Sequence, residues 1–269
     1  FLLVTVNILL EALKWKIQLS PIEDISLGKS YISIFTGMTA GMFFPNRMGN
    51  FLGRIFILEK GDRIKAAMVT IVGGFAQMIA TVCFGLLALL FFIEKNKLLI
   101  FFGIIIIISL LIIMYFKIHL LKYLQLFIPK RFKEKTKSYI EIFSQYNKKE
   151  LTEILIISFA RYLLYSFQFV ILIWAFNVPL SYINAMIPIS LTYLMMMIVP
   201  YITITEIAVR GSVSILIFEK WLMMNGINSS LSAMVFSASS LLWIFNIAIP
   251  AVIGLFLTNR LKFFRKNEL

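Results

Sequence analysis

The chain has 269 residues, of which 60% are hydrophobic and 14% are charged, and its formal net charge is +13. This composition, with a mean hydropathy of +0.91, excludes an ordinary soluble domain, which carries more charge and fewer Phe and Ile residues. The basic residues flank apolar runs and do not form a basic domain, which disfavours nucleic-acid binding. Cys83 and His119 are each the only residue of their type, so the sequence predicts no disulfide framework, no His-based triad and no metal site.

Long apolar runs predict an all-α, polytopic membrane protein, because a run such as 98–116 is uncharged and long enough to cross about 30 Å of hydrocarbon. In chain order, the predicted segments are 2–19, 31–58 (a pair of short segments broken around Pro45), 66–93, 98–116, 151–176, 182–199 with 205–224 (a second pair, broken around Pro200) and 231–258. We expect one integral membrane domain over 1–269, with a cytoplasmic amphipathic linker at 117–150 and a basic cytoplasmic tail at 259–269. Since Phe1 lies inside an apolar run, we expect an upstream segment to precede it.

The basic residues predict the orientation of the segments. They are concentrated in the linker 117–150, in the tail 259–269, at Lys14, Lys16 and Lys29, and at 60–65. The loops 177–181 and 225–230 carry no charge, and the loop 94–97 is short and mixed in charge. Basic loops face the cytoplasm, so each broken pair enters and leaves on one side of the membrane, the first from the cytoplasm and the second from outside. We therefore predict two broken, re-entrant hairpins in inverted-topology repeats, linked by 98–116. For the second pair, two full spans remain an alternative.

The first break introduces charge at membrane depth, which by default marks a functional site. Arg47 and Arg54 are seven residues apart and share a face if the segment after Pro45 is helical, while Gly49 and Gly53 allow close backbone approach. A helix N-terminus and arginine forks together suit a lipid phosphate. The equally supported alternative is that both arginines anchor the segment at the cytoplasmic edge. The candidate site residues here are Asn46, Arg47, Asn50 and Arg54.

The second break offers Glu206 and Arg210, which can pair at i,i+4 on one helix face. Thr203 and Glu206 fit a capping box, so one interpretation is that Glu206 caps a helix and neutralises Arg210. The other, which we favour, is that this pair, with Thr205, also binds a ligand or gates a path. An acidic residue near mid-membrane can also take up a proton or cation.

Further polar residues lie inside the segments. Arg161 is about ten residues into segment 151–176, too deep for easy snorkelling, so we expect it to face the interior with a partner and include it among the candidate site residues. The amides Gln77, Gln168 and Asn246 are typical of helix–helix hydrogen bonding. Two further groups are interpreted as structural. Glu11 and Lys14 are expected to pair and, with Trp15, to anchor the inner end of the first segment. Residues 194–197 (LMMM) are expected to pack or to line an adaptable lipid path.

These motifs resemble the lysylphosphatidylglycerol synthase transmembrane-region, or flippase-like, family, which includes the membrane domain of the multiple peptide resistance factor. The resemblance is carried by 10–16 (LEALKWK), by 45–50 (PNRMGN) with Arg54, and by 205–211 (TEIAVRG), and it extends from Ile8 to about Thr258. The family typically has Pro-x-Arg-x-Gly-Glu at the second motif; Asn50 here replaces the Glu, so that position offers no acid. The resemblance implies movement of lipids or lipid-linked head groups between leaflets. The synthase activity in the name belongs to a separate soluble domain, which nothing in these residues resembles.

We therefore expect a bacterial-type inner-membrane flippase-like transporter, with no catalytic residues and no cofactor. Its substrate would be an anionic or zwitterionic phospholipid, a modified phospholipid or a lipid-linked sugar, and its basic loops would contact anionic head groups. Asn46, Arg47 and Arg54 would engage phosphate from the cytoplasmic side, and Glu206 with Arg210 would form the opposing polar station. The alternatives are a membrane-embedded glycosyl- or acyl-group transferase acting on a lipid carrier, and a non-transporting scaffold. Assembly into a homo-oligomer stays open.

Overall fold

The computed structural model describes residues 1–44, 49–56, 58, 61–120, 123, 137, 139–203, 205–227 and 231–257, and their regular secondary structure is helical. The helices are α1 (Leu2–Leu19), α2 (Leu27–Gly41), α3 (Gly49–Ile55), α4 (Arg63–Leu89), α5 (Lys97–Phe116), α6 (Lys148–Ala175), α7 (Tyr182–Ile198), α8 (Glu206–Met224) and α9 (Ser232–Leu257). A 3₁₀ turn occupies Glu141–Gln145, and α9 contains a π-helical turn at Ile244–Ala248.

The prediction of a polytopic helical bundle is confirmed. Within the described residues, α4, α5, α6 and α9 are long and apolar enough to cross a membrane, and the shorter α7 is also apolar. The predicted segments agree with the helices to within a few residues, and both breaks separate two helices. The chain is therefore a multi-pass integral membrane protein. How deep each broken pair enters the membrane stays a prediction.

Local side-chain chemistry explains where several helices begin. The Asp62 carboxylate accepts hydrogen bonds from the first backbone N–H groups of α4, and Asn147 forms a capping box with Glu150 at the start of α6. Ser181 accepts from the backbone N–H of Asn184 at the start of α7. Each cap satisfies donors that have no partner within the helix, so these ends are defined by sequence.

Helices α2 and α3 pack together as a short pair because glycines let their backbones approach closely. A Cβ at Gly53 would lie 2.4 Å from the carbonyl oxygen of Thr36 and 2.6 Å from Cα of Gly37. A Cβ at Gly49 would lie 2.3 Å from the carbonyl oxygen of Ala40. The close approach predicted for the two glycines of α3 is confirmed, and it is the small-residue packing usual in membranes.

Two hydrophobic clusters form the interior. One joins α1, α2 and most of α4 with residues of α3, α5 and the start of α6, and the other joins α6 to α9 with Ala80 and Ala88 of α4. The halves also exchange equivalent contacts. Gly85 of α4 lies against Leu194 of α7, and Gly254 of α9 lies against the backbone of Phe35 in α2. Helix α4, which ends the first half, thus packs on α7, which begins the second broken pair. Helix α9, which ends the second half, packs on α2, which begins the first broken pair. This exchange suits a repeat.

The described part of the linker packs against the bundle. Ile118, Ile142 and Phe143 are buried in the first hydrophobic cluster, and the Tyr146 hydroxyl donates a hydrogen bond to the carbonyl of Gln18 in α1. The end of the predicted amphipathic linker thus packs on the bundle, and it contains the 3₁₀ turn. The middle of the linker and the tail 259–269 lie outside the described residues.

Candidate functional site

A cavity of about 420 Å³ with both polar and apolar side chains in its walls lies between the two halves of the bundle. Its lining comes from seven helices and the loop after α7: Asn7, Ile8, Met38, Gln77, Thr81, Arg161, Tyr162, Tyr165, Tyr193, Met196, Met197, Tyr201, Arg210, Asn246 and Ile247. Gln77, Arg161 and Asn246 each lie near the middle of a helix long enough to span a membrane. The cavity therefore lies at about mid-depth of the spanning helices.

Arg161 of α6 is held on one wall of the cavity by side chains from two other helices. Its Nε donates to Oδ1 of Asn7 at 3.0 Å, and its Nη1 donates to Oε1 of Gln77 at 3.2 Å and pairs with Glu11. The expectation that Arg161 faces the interior with a partner is confirmed. The interaction with Gln77 also gives that amide a contact across helices, as its position predicted.

Glu11 of α1 is the carboxylate behind Arg161, and three cations share it. Its Oε1 accepts from Nη1 of Arg54 at 2.7 Å, and its Oε2 lies 2.9 Å from Nζ of Lys14 and also contacts Arg161. The pairing of Glu11 with Lys14 was predicted, and it is confirmed. Glu11 joins α1, α3 and α6, so it positions Arg161 without lining the cavity itself.

The structural role expected for this stretch is played inside the protein and not at an exposed interface. Lys14 and Trp15 were placed at the cytoplasmic edge, but both are buried, Trp15 completely, and the Arg54 guanidinium stacks 5.8 Å from the Trp15 ring. Arg54 is buried as well, and its guanidinium pairs with Glu11. Basic residues near a helix end usually snorkel to the interface, but here the Glu11 carboxylate, one turn from Lys14 and across the helix contact from Arg54, retains both cations inside.

Arg210 of α8 also lines the cavity. Its Nη2 pairs with Oε1 of Glu206, its Nη1 donates to the Tyr165 hydroxyl at 3.3 Å, and its Cζ lies 6.0 Å from the Tyr193 ring. The predicted ion pair between Glu206 and Arg210 is confirmed. Glu206 is fully buried and lies behind Arg210, outside the cavity lining. The buried arginine is thus compensated by charge on one side and by aromatic rings on the other.

Thr203, in the loop between α7 and α8, connects the two broken segments. Its hydroxyl donates to the carbonyls of Gly41 at 2.9 Å and Phe44 at 3.2 Å, just after α2. The predicted capping box with Glu206 is therefore wrong, because the hydroxyl satisfies carbonyls of another segment instead of the N–H groups of α8. Thr205 is exposed, and its hydroxyl donates to the carbonyl of Ile202.

The remaining candidate residues fall in different places. Asn46 and Arg47 lie outside the described residues. Asn50 lies at the start of α3, with its side-chain oxygen against Gly41 and without a hydrogen-bond partner. Of the predicted site residues, the structure brings Arg161 and Arg210 together on the cavity lining, with Arg54 and Glu206 behind them.

Sequence reasoning missed several lining residues. Tyr165 follows Arg161 by four residues and so shares its helix face, a signal that was available. Asn7 was the one amide in the first half of α1, which is otherwise apolar except for Thr5. Tyr193 and Tyr201 carried no local signal, because only the fold brings Tyr193 beside Arg210 and Tyr201 to the cavity lining. Asn246 was noted, and it donates to Oε1 of Gln168 at 2.7 Å from within the π-helical turn, a feature frequent at functional sites.

The charge of the lining defines what the cavity can do chemically. Its charged members are two guanidinium groups, and no carboxylate occurs among the described residues that line it. The neutral members are amides, hydroxyls and tyrosines, and the remaining part is apolar, with Met38, Met196 and Met197. A polar head group and the start of an apolar chain both find suitable surfaces here.

Comparison with protein-family models matches residues 1–245 to the family described as lysylphosphatidylglycerol synthase TM region. The match covers all of the cavity lining except Asn246 and Ile247. No protein among the curated sequences and no solved structure matches the chain.

Proposed function

Because the chain belongs to the family of the lysylphosphatidylglycerol synthase TM region, we propose that it is a flippase-like transporter that moves a phospholipid or a lipid-linked head group between leaflets. The family supports a membrane protein with a phospholipid-related substrate. The transport step is our inference from the site. In this proposal the chain binds and moves the lipid, and no residue acts as a catalyst.

The observation that carries the proposal is that Arg161 and Arg210 both line one cavity at mid-depth of the spanning helices. Ionisable groups inside a membrane are costly and usually line substrate paths. A site between two halves, built from interrupted helices near the midplane, is the arrangement found in many transporters.

The apolar edge of the cavity suggests where the acyl chains would lie. Met197 lines the cavity and is 45% exposed, and its neighbour Ile198 is 70% exposed. This edge therefore lies beside the apolar outer surface of the bundle. The head group would cross in the cavity, while the chains would stay in the lipid beside α7, where flexible methionines adapt to their shape.

A leaflet assay in proteoliposomes tests the proposal. The purified chain is reconstituted with a phospholipid that carries a fluorophore on an acyl chain, and a membrane-impermeant quencher reports the outer leaflet. We expect translocation well above that of protein-free vesicles, and a loss of at least about tenfold for Arg161→Gln, since a hydrogen bond to a charged group is worth roughly a factor of ten or more.

Arg161→Gln is the informative variant because Glu11 keeps Lys14 and Arg54 as partners, so the buried carboxylate is not left alone. The matched control is Lys149→Gln, which removes an exposed charge from the same helix. It should retain the wild-type rate. A wild-type rate in Arg161→Gln, or no activity above empty vesicles in the wild type, would refute the proposal.

A further inference from the structure

We propose that access to the cavity alternates between two equivalent seams, α1–α9 and α4–α6, and that the structure holds the state in which the α4–α6 seam is closed. Each seam is the boundary between a helix of the first half, α1 to α4, and a helix of the second half, α6 to α9. The inference rests on the proposed function for the lipid that would pass. It is carried by residues that occupy equivalent places in the two halves and make different contacts.

The last helices of the two halves, α4 and α9, can be aligned residue by residue. Gly85 of α4 and Gly254 of α9 each pack on the first helix of the other half's broken pair. Eight residues before each glycine lies an amide, Gln77 in α4 and Asn246 in α9, and both amides line the cavity. Since α1 begins the first half as α6 begins the second, the α1–α9 seam is the counterpart of the α4–α6 seam.

The broken pairs have the same register. Phe35 of α2 and Leu194 of α7 are the residues that contact the two glycines. Three residues after each of them lies a methionine, Met38 and Met197, and both methionines line the cavity. The equivalence of the halves around the cavity therefore does not depend on one pair of helices.

The two equivalent amides make different contacts. Gln77 reaches the other half, because its Oε1 accepts from Nη1 of Arg161 at 3.2 Å and its Nε2 donates to the carbonyl of Ser158 at 3.4 Å. Asn246 stays within its own half, where its Nδ2 donates to Oε1 of Gln168 at 2.7 Å. One amide thus holds its seam together, and the other does not.

Side-chain packing shows the same difference. In the α4–α6 seam, Ala80 is completely buried, and the Phe84 ring stacks on the Tyr162 ring with centroids 4.7 Å apart. The positions of α9 that correspond to Ala80 and Phe84 are Ile249, which is half-buried, and Ile253, which is 45% exposed. The face that α4 buries against α6 is therefore largely uncovered in α9.

Helices α1 and α9 face each other across the cavity. Ile8 of α1 and Ile247 of α9 both line it. The rings of Phe1 and Phe245 touch, with centroids 5.2 Å apart, but in the described residues the backbones of α1 and α9 do not pack together as those of α4 and α6 do. The cavity thus occupies the place where the repeat would put a closed seam.

Equivalent segments with opposite contacts are what one of two alternating states would show. In transporters built from repeats, one repeat rocks against the other around a fixed site, and the closed contacts of one state are exchanged for the equivalent contacts of the other. Here the exchange would release Gln77 from α6 and bring Asn246 against α1. A lipid head group could then enter through one seam and leave through the other, without a path open at both.

Distances between spin labels test the exchange without depending on transport. In a Cys83→Ser background, Leu9→Cys with Phe256→Cys spans the α1–α9 seam, and Leu87→Cys with Leu163→Cys spans the α4–α6 seam. All four positions are exposed, so a nitroxide label fits at each. Pulsed electron spin resonance in lipid nanodiscs then measures each pair. We expect a major distance from the state described here and a minor one from the exchanged state.

Two variants should shift this balance toward the exchanged state. Gln77→Ala removes both bonds to α6, one of them to a charged guanidinium, so the ratio of the minor to the major distance should rise by about tenfold in both pairs. The α4–α6 distance should lengthen while the α1–α9 distance shortens. Phe84→Ala, which removes the stacked ring, should act in the same direction. The matched control is Asn184→Ala, an exposed amide of α7, which should leave both distances unchanged.

Two results would overturn the inference. One is a single distance in each pair that stays the same in the wild type, in Gln77→Ala and in Phe84→Ala. The other is a widening of both seams together, which would be loosening and not exchange. The leaflet assay separates this inference from the proposed function. Exchange of the seams without movement of lipid would refute transport and support the two states, whereas lipid movement with seams that do not exchange would support transport and refute them.

Discussion

The Glu11 carboxylate holds three cationic side chains near the cavity, because Lys14, Arg54 and Arg161 all pair with it. Replacing it by Gln would leave three buried cations without their counter-charge. Breaking a buried ion pair costs about 3–5 kcal/mol, so we expect Glu11→Gln to lower the thermal unfolding midpoint in detergent strongly. The double variant Glu11→Gln with Lys14→Met should recover part of this loss, since it removes one stranded cation.

The matched control for this prediction is Glu153→Gln. Glu153 lies on the exposed surface of α6, 3.9 Å from Lys149, and exposed pairs contribute little to stability. It should unfold near the wild-type midpoint. An unchanged midpoint in Glu11→Gln would mean that the cluster does not hold α1, α3 and α6 together.

At the scale of single residues, prediction from the sequence succeeded where a pair is local and failed where it is distant. Glu206 with Arg210, and Glu11 with Lys14, are one helical turn apart, so spacing alone predicts them. Arg54 is far from Glu11 in sequence, and no local pattern indicates their contact. Thr203 shows the converse error, because a local capping pattern was outweighed by a tertiary hydrogen bond to Gly41.

Among the elements, the α2–α3 pair depends on backbone proximity, and Gly53 shows this clearly. The three atoms nearest to a Cβ there are all backbone atoms, at 2.4–2.8 Å, which cannot move aside as a flexible side chain can. We expect Gly53→Ala to destabilise the protein by about 1–3 kcal/mol through overpacking, although Ala is the better helix former. The measurement is the thermal unfolding midpoint in detergent.

Gly74→Ala supplies the control, since a Cβ at Gly74 of α4 would meet nothing within 4 Å. It should be neutral or slightly stabilising, because Gly in a helix interior costs roughly 0.5–1 kcal/mol relative to Ala. If both variants unfold at the same temperature, the close packing of α3 on α2 does not contribute to stability.

The bounds of the helices were largely predictable from the sequence. A bilayer requires long apolar runs, and capping residues mark where several helices begin. Segment 2–19 coincides with α1. The two breaks were predictable because Pro45 and Pro200 each interrupt an apolar run. What could not be predicted is which helices meet, since the cavity is built by residues from α1, α2, α4, α6, α7, α8 and α9 that share no sequence neighbourhood.

For the whole molecule, the exchanged contacts between halves were not accessible from the sequence, because the halves have little sequence in common. Gly85 against Leu194, and Gly254 against Phe35, place equivalent helices in equivalent environments. These contacts agree with a repeat. The side of the membrane that each loop faces is predicted only from the distribution of basic residues. The inverted arrangement is therefore the prediction that most needs a direct test.

Cysteine labelling in intact cells supplies this test, because Cys83 is buried and is the only cysteine to replace. In a Cys83→Ser background, single cysteines at Asp24 and Asp62 flank the first broken pair, and those at Ser181 and Asn225 flank the second. We expect a membrane-impermeant maleimide to label Ser181→Cys and Asn225→Cys from outside. Asp24→Cys and Asp62→Cys should react only after the membrane is permeabilised, since basic loops stay in the cytoplasm.

Two reference positions calibrate the labelling: Glu94→Cys, between α4 and α5, for the outside, and Lys149→Cys, at the start of α6, for the cytoplasm. Each broken pair must return to the side from which it entered if the halves are inverted copies. Opposite labelling of Asp24→Cys and Asp62→Cys, or of Ser181→Cys and Asn225→Cys, would mean that a pair crosses the membrane. The two halves would then not be inverted, and the cavity between them could not be opened to each side by equivalent movements of the two pairs.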